Sequence, residues 1–200
     1  LSDHVICTQA GPEIGVAATK TFMTQVATLA MLSLELSRIS GVLNSNEIQS
    51  LRRSLLDTPR LVESVIEKLE GTVIKTAEKY YNRPNFLFLG RGISTATAME
   101  GALKLKEISY AHAEGYPAGE SKHGPISLVE PGFPVVFIAP PDQTYERLIG
   151  NVMEMKAREA SVISVVAQGD ESIGRLSDAV FEVPGNIPPE LSPITYIVPL

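Results

Sequence analysis

Apolar positions in the first part of the chain recur with helical periodicity. Residues 16–39 contain no glycine or proline, and their apolar side chains recur at helical intervals, which predicts one long, mostly buried helix. Ser40-Gly41 is a typical ending for it. Ahead of this helix, residues 4–8 (HVICT) predict a short strand and residues 9–15 (QAGPEIG) a turn-rich loop.

Residues 44–81 keep the helical periodicity but are more polar and more densely charged. Asn46 is a candidate cap for one helix. The segment Asp57-Thr58-Pro59 predicts the start of a second helix, with the proline near its first position. We interpret this region as a helical connector between two units that each contain a sheet.

From residue 85 onward, short apolar runs alternate with helical patterns. The runs predict strands at 85–90, 134–140, 161–167 and 179–184. Helices are predicted at about 94–110, 125–129 and 143–159, with a loop at 111–124. Continuously apolar strands separated by helices are typical of a parallel sheet covered on both faces. The predicted fold class is therefore α/β, with three layers as in flavodoxin-like folds.

Ligands of such sheets bind beyond the carboxyl ends of the strands. This rule places three loops at the functional edge, at 90–94, 111–124 and 139–143. The second of these is long for a compact domain and rich in titratable side chains, and long loops of this kind are usually functional or disordered.

The strand–loop–helix order of 4–39 loosely repeats in 86–110, which indicates two copies of one unit. We expect residues 1–43 to be the end of a first domain, 44–84 a helical connector, and 85–200 a second domain that lacks its C-terminal end. The chain begins in a strand-like pattern and closes on ITYIVPL, so both ends are interpreted as cuts through a larger protein.

The composition and charge of the chain argue against several classes of function for it. The net charge is −6 and no basic run exists, so nucleic acid is not an expected partner. No apolar run approaches the roughly 20 residues of a membrane span, and no signal peptide is visible. Cys7 is the single cysteine and is expected to be buried, while His4, His112 and His123 show no metal spacing. A cytoplasmic protein without metal or cofactor is expected.

Two candidate sites lie on the helix predicted at 94–110. Gly92, Ser94 and Thr95 follow a strand and open the helix, where N–H and hydroxyl groups suit an anion; a tight turn with an N-cap serine is the alternative. Further along, the row formed by Glu100, Lys104 and Glu107 shares one helix face. Such a row is often a solvated ladder, but small neighbours on the helix favour a crowded interior or interface.

Two further segments contain residues suited to acid–base or sugar chemistry. His123 in GESKHGP (119–125) titrates near neutral pH and could exchange a proton with a hydroxyl group, or make a structural hydrogen bond instead. Glu13 and the small residues of AGPEIGVAATKT (10–21) suit contacts to sugar hydroxyls, or simply cap a helix start.

The segments AGPEIGVAATKT, EGALKLKEISYAHAEGYPAGESKHGP and PVVFIAP, in this order, resemble the isomerase half of the glucosamine-6-phosphate synthase family, the glutamine–fructose-6-phosphate aminotransferases. The resemblance covers essentially the whole chain and implies sugar isomerase (SIS) domains. It also implies conversion of fructose 6-phosphate and ammonia to glucosamine 6-phosphate, in a homodimer with shared active sites. A separate glutaminase domain of the parent enzyme would supply the ammonia.

The resemblance also implies roles for individual residues. Glu107 matches the base that moves a proton between C1 and C2, and Lys104 matches the lysine that assists it. His123 matches the ring-opening histidine, which in the family comes from the neighbouring subunit. Val16 and Ala18 match positions lining the sugar site, and the candidate substrate-binding segment comprises these and three further residues: Glu13, Ala17 and Thr19.

Three departures from the family pattern weaken the expected activity of this chain alone. Ala18 stands where relatives often have serine, and the family's phosphate loop and Schiff-base lysine correspond to positions before Leu1 and beyond Leu200. We therefore expect poor turnover from the isolated chain. The rival hypotheses are a non-catalytic sugar-phosphate-binding SIS module and a different SIS enzyme, such as a deglycase.

Overall fold

The computed structural model describes residues 2–200, which form five strands and five α-helices. The strands are β1 (Asn85–Gly90), β2 (His112–Pro117), β3 (Pro134–Ala139), β4 (Ser161–Ala167) and β5 (Ala179–Val183). The α-helices are α1 (Lys20–Ser40), α2 (Ser45–Tyr80), α3 (Ser94–Ser109), α4 (Tyr145–Lys156) and α5 (Ser192–Tyr196). Short 3₁₀ helices occupy Ala118–His123, Pro125–Leu128, Gly174–Leu176 and Pro189–Leu191.

All five strands are parallel and lie in the order β2-β1-β3-β4-β5. The apolar runs become inner strands because both of their faces are covered; every residue of β3 is buried. The chain leaves β1 toward β2 and then returns to the other side of β1 as β3, so the strand order reverses between β1 and β3. The predicted three-layer α/β fold is confirmed.

Two separate apolar clusters cover the two faces of the sheet. On one face, Phe88, Val136 and Ile163 pack against buried residues of α2 and α3 and against Tyr196 of α5. On the other face, Leu89 and Phe137 pack against buried residues of α4 and against Ala118. Helix α3 therefore lies on the opposite face of the sheet from α4 and from the 3₁₀ helix that begins at Ala118.

The strands predicted from the sequence were wrong at two places. Residues 112–117, predicted as part of a loop, form the edge strand β2, where only Ala113 is buried. Residues 4–8 form no strand, and Cys7 is exposed rather than buried. The physical reason is pairing: β2 has β1 beside it, whereas HVICT has no neighbouring strand within residues 2–200.

Helices α1 and α2 also differ from the helices that the sequence predicted. Helix α1 has no buried residue, because only α2, α5 and the 3₁₀ helix at Pro189–Leu191 pack on it with more than marginal contact. Helix α2 is continuous through Pro59 instead of restarting there, and its cap is Asn44, which forms a capping box with Glu47. Among residues 2–200, no helix has the length and apolarity needed to cross a bilayer.

Candidate functional site

The start of α3 is a tight turn whose backbone donors are already used. A Cβ at Gly90 would lie 2.3 Å from the Ser94 carbonyl oxygen, so only glycine allows this close approach. The N–H groups of the first three residues of α3 donate to carbonyl groups of the three residues before it. The Thr95 hydroxyl donates to the Gly90 carbonyl over 3.1 Å. Few donors therefore remain for an anion.

A cavity of about 410 Å³ lies beside this turn, where the strand order reverses. It is lined by Gly92, Ile93, Asp142, Gln143, Thr144, Pro189 and Glu190. Two of these residues carry carboxylates, which repel anions. The Ser94 hydroxyl is buried and finds no hydrogen-bond partner within residues 2–200. The assignment of Gly92, Ser94 and Thr95 to an anion stays a sequence prediction, and this geometry gives it little support.

The Glu–Lys–Glu row on α3 is not a solvated ladder. Lys104 is only 8% exposed, and its ammonium group lies 2.7 Å from Glu107 Oε2 and 3.3 Å from Glu100 Oε1. The two carboxylates are half-buried on either side of it. A buried ammonium group needs such partners, because its desolvation is unfavourable unless it is paired and hydrogen-bonded.

The charge state of Lys104 is fixed by these two partners. Burial alone lowers the pKa of Lys104, but its hydrogen bonds to Glu107 and Glu100 outweigh burial, so the pKa is raised above its ordinary value of 10.5. Lys104 is therefore a protonated cation at neutral pH, paired with two carboxylates. It can stabilise negative charge beside Glu107, and it cannot itself act as a general base.

Glu107 retains the freedom that a general base needs. Within residues 2–200, Lys104 is its hydrogen-bond partner and engages Oε2 alone, which leaves Oε1 open. The helix around it is closely packed: a Cβ at Gly101 would lie 2.7 Å from the Leu200 side chain. Glu107 thus lies at the border between a packed helix face and solvent.

His123 lies beyond the carboxyl ends of the strands, whereas Glu107 lies toward their amino ends. His123 ends the 3₁₀ helix that follows the carboxyl end of β2, and it is exposed. Glu107 lies about 20 Å along the α3 axis from Ser94, at about 1.5 Å of rise per residue, toward the amino ends of the strands. A single chain therefore does not bring these two predicted catalytic residues together.

A chain of polar contacts holds the segment that carries His123, and the sequence patterns did not reveal it. Arg91 donates to Asn151, Asn151 donates to Glu154, and Glu154 pairs with Lys122, the residue before His123. Arg91 and Asn151 are 60 positions apart in the chain, so no local spacing could have indicated this contact.

Glu13 occupies the start of α1. Its carboxylate accepts hydrogen bonds from the Thr21 hydroxyl over 2.6 Å, the Thr21 N–H over 3.1 Å and the Lys20 ammonium over 2.9 Å. The bonds from Thr21 and Lys20 lower its pKa to about 2. The geometry is that of a helix-start anchor, which was the alternative to sugar contacts.

The other members of the candidate substrate-binding segment lie between Glu13 and α1. Val16 and Thr19 are exposed, and Ala17 and Ala18 are half-buried. No hydrogen bond within residues 2–200 joins this segment to Lys104 or Glu107. Its role in substrate binding stays a prediction.

Comparison with protein families matches residues 79–200 to the SIS domain. Curated relatives match the whole chain: a glutamine–fructose-6-phosphate aminotransferase (isomerizing) of Thermus thermophilus is 48% identical over 198 residues, which is 99% of this chain. Its counterpart from Aquifex aeolicus is 49% identical over 199 residues, which is 100% of this chain. The predicted resemblance is confirmed.

A solved structure shows the same similarity in three dimensions. The C-terminal domain of the glucosamine-fructose-6-phosphate aminotransferase from Francisella tularensis is 36% identical, with a TM-score of 0.88 over 96% of this chain. The chain spans 32% of either curated relative and 54% of that solved chain.

Proposed function

Because the chain belongs to the SIS domain family, we propose that it forms the sugar-isomerising part of a glutamine–fructose-6-phosphate aminotransferase. The substrates of that enzyme are fructose 6-phosphate and ammonia, and its product is glucosamine 6-phosphate. Glu107 is the general base, Lys104 its electrostatic partner, and His123 the ring-opening acid–base group. The observation that carries the proposal is the buried Lys104 held against a Glu107 carboxylate with one free oxygen.

The proposed chemistry needs two proton-transfer steps. A group that gives and takes a proton near neutral pH opens the sugar ring, which suits the imidazole of His123. After ammonia condenses with the C2 carbonyl to give an imine and water, the Glu107 carboxylate removes a proton from C1 and delivers it to C2, while the proton of the C1 hydroxyl group passes to the nitrogen. The result is an aldehyde at C1 and an amine at C2. Lys104 stabilises the negative charge that develops during this transfer.

A homodimer with shared active sites follows from the separation of these groups. Because Glu107 and His123 lie toward opposite ends of the sheet, the proposal combines Glu107 of one protomer with the partner's His123. In the parent enzyme a glutaminase domain supplies the ammonia. Val16, Ala17, Ala18 and Thr19 contribute sugar contacts from a segment that Glu13 anchors to α1, and the cavity beside Gly92 remains outside the proposed chemistry.

A cytoplasmic location is part of the same proposal. The exposed Cys7 is a free thiol, which is compatible with a reducing compartment. Among residues 2–200, no group of three or more metal-binding side chains is placed to hold an ion.

The first experiment follows fructose 6-phosphate in D₂O with the 200-residue chain, by proton NMR of the C1 position. Slow loss of the C1 proton is expected, because proton removal by Glu107 does not require ammonia. Glu107→Gln is expected to abolish this exchange while fructose 6-phosphate binding persists. Exchange that is equally fast with Glu107→Gln would overturn the assignment of the base.

The second experiment restores the remainder of the enzyme. This chain replaces the matched 198 residues of the Thermus thermophilus relative, with which it is 48% identical. The chimera is expected to form glucosamine 6-phosphate from fructose 6-phosphate and glutamine, whereas the isolated chain turns over poorly. A folded chimera that binds fructose 6-phosphate without turnover would contradict the proposal.

A non-catalytic sugar-phosphate-binding module is the second candidate. It is favoured by the distance between Glu107 and His123 within one protomer, which leaves a single chain without a complete acid–base site. A binding module would hold fructose 6-phosphate with no C1 proton loss, and Glu107→Gln would change neither property. The D₂O experiment therefore separates the two functions.

A further inference from the structure

Asn151 on α4 is a buried polar side chain that links two parts of the fold. It is 5% exposed, and its Oδ1 accepts a hydrogen bond from Arg91 Nη1 over 2.8 Å. Its Nδ2 donates to Glu154 Oε2 over 3.1 Å. Because a buried amide without partners is strongly unfavourable, these two bonds fix the side chains on either side of it.

The contacts continue from Asn151 to the segment that carries His123. The other carboxylate oxygen of Glu154 lies 2.7 Å from the Lys122 ammonium group. Lys122 directly precedes His123 in the 3₁₀ helix. A connected row of charge-assisted bonds therefore leads from the β1–α3 turn across α4 to the backbone next to the imidazole.

Arg91 also contacts this segment at its other end. A Cβ at Gly119 would lie 3.1 Å from Arg91 Nη1 and 3.3 Å from Nη2, so the guanidinium group lies directly against the Gly119 backbone. Buried Ala118 and Ser121 anchor the start and the middle of the 3₁₀ helix. Beyond His123, Gly124 has a φ of 148°, and its carbonyl group accepts hydrogen bonds from the Ser127 N–H over 2.9 Å and from the Ser127 hydroxyl over 2.7 Å.

We infer that Asn151 is a positioning residue for His123, acting through Arg91 on Gly119 and through Glu154 on Lys122. The inference rests on the proposed function, in which His123 transfers the proton of ring opening. An acid–base group must lie within hydrogen-bond reach of the proton that it moves, and a displacement of about 1 Å can lower the rate by about a hundredfold. Packing at Ala118 and Ser121 attaches the segment to the fold. The polar contacts of Asn151, through Arg91 and through Glu154, set the position of the end of the segment that carries His123.

The first test observes His123 itself. Only three histidines are present, so His123→Gln identifies the imidazole resonance of His123 in the NMR spectrum of the 200-residue chain. Asn151→Leu is expected to shift and broaden that resonance and to leave the His112 resonance unchanged. Amide exchange in residues 118–124 is expected to rise about tenfold or more.

A matched control comes from the same helix. Lys156 Nζ pairs with Asp178 over 3.0 Å and joins α4 to a different part of the fold. Lys156→Met removes this link and is expected to leave the His123 resonance and the exchange of residues 118–124 as in the unchanged chain. A similar response to both substitutions would overturn the inference, because it would show general loosening around α4.

A second pair of variants keeps the test valid if Asn151→Leu does not fold. The Lys122 side chain is 57% exposed, so Lys122→Met is compatible with folding and still breaks the row at its last link. It is expected to alter the His123 resonance as Asn151→Leu does. Lys122→Arg retains a cation for Glu154 and is expected to restore the original resonance. An unaltered His123 resonance in Lys122→Met would contradict the inference.

The functional consequence is a change in rate without a change in binding. In the D₂O experiment, Asn151→Leu is expected to lower kcat for C1 exchange by about 10- to 100-fold and to leave KM within about twofold. Equal loss of binding would indicate a structural defect and would overturn the inference. Failure of the unchanged chain to exchange C1 would count against the proposed function alone, because the resonance and amide-exchange results decide the positioning claim independently.

Discussion

Two Glu–Lys pairs of this protein differ in what their carboxylates can do. Glu13 and Lys20 lie at the start of α1, where both oxygens of the carboxylate are occupied by Thr21 and Lys20. Glu107 and Lys104 lie near the end of α3, where the lysine is buried and one oxygen of Glu107 stays open. A saturated carboxylate anchors a helix, whereas an open one beside a fixed cation can accept a proton.

The difference arises from the surroundings of each pair. Helix α1 has no buried residue, so Glu13 gains its partners from local backbone and side-chain donors. Helix α3 is packed between the sheet and the last residues of the chain, which removes water from Lys104. Removal of water strengthens the electrostatic interaction of Lys104 with its neighbours. Site chemistry here therefore depends on tertiary packing more than on residue spacing.

The largest effect is expected from Glu107→Gln, which removes the open carboxylate and preserves side-chain shape. Proposed isomerisation by the chimera should fall by about 10²- to 10⁴-fold, because the proton acceptor is lost. Glu100→Gln is the matched comparison, since Glu100 also contacts Lys104 but lies about two helical turns from Glu107. Measured glucosamine 6-phosphate formation should fall far less in Glu100→Gln; equal losses would show that the two carboxylates are not distinct.

The next effect is expected from Lys104→Met, which leaves two half-buried carboxylates without their cation. The free energy of unfolding should fall by about 1–3 kcal/mol, the value of charged hydrogen bonds lost from a largely buried group. Urea denaturation measures this change. Lys106→Met, at an exposed position of the same helix, should change stability by less than about 0.5 kcal/mol. Comparable destabilisation by both substitutions would argue against a special role for Lys104.

The pH dependence of the Lys104 contribution has a definite sign. Because folding raises the pKa of Lys104, its contribution to stability is complete below about pH 10.5, the ordinary pKa. It is lost as the pH rises through the higher pKa of the folded protein. The stability difference between the unchanged chain and Lys104→Met should therefore stay constant from neutral pH to about 10.5 and shrink above it. A difference that shrinks well below that range, already on the way from neutral to mildly alkaline pH, would contradict the raised pKa.

The smallest effect concerns Glu13 and stays local to α1. Because folding lowers the pKa of Glu13 to about 2, its anchoring contribution is complete above about pH 4.5 and is lost as the pH falls toward 2. The Thr21 amide resonance should follow this titration. Glu13→Gln should remove the titration, whereas the same substitution at Glu35, within α1, should not affect it. A Thr21 midpoint near pH 4.5, the ordinary value, would contradict the anchored geometry.

Most of the sheet could be predicted from sequence because β1, β3 and β4 are largely buried and β5 is partly buried, so that their sequences are apolar runs. The edge strand β2 reads HAEGYP and buries only Ala113, so its pairing with β1 leaves no apolar signature. Residues 4–8 carry such a signature, but no strand lies beside them in the part of the chain that the structure describes. Strand propensity alone does not create a strand, because the backbone requires a partner.

The sequence was sufficient to predict which residues form the candidate site, but not how buried they are or which distant residues they contact. Helical spacing places Lys104 and Glu107 on one face, and only tertiary packing decides that the lysine is buried. The support for His123 depends on Asn151, which lies on another helix and follows no recognisable motif. Contacts between distant segments are set by the fold, so local patterns contain no information about them.

The most direct test of the central claim is a crystal structure of the dimer of this chain with glucosamine 6-phosphate bound. The account predicts that Glu107 of one protomer and the partner's His123 both lie within hydrogen-bonding distance of the same sugar, with Glu107 beside C1 and C2 and Lys104 still bonded to it. A sugar bound only in the cavity beside Gly92, with both Glu107 and His123 facing solvent, would contradict it.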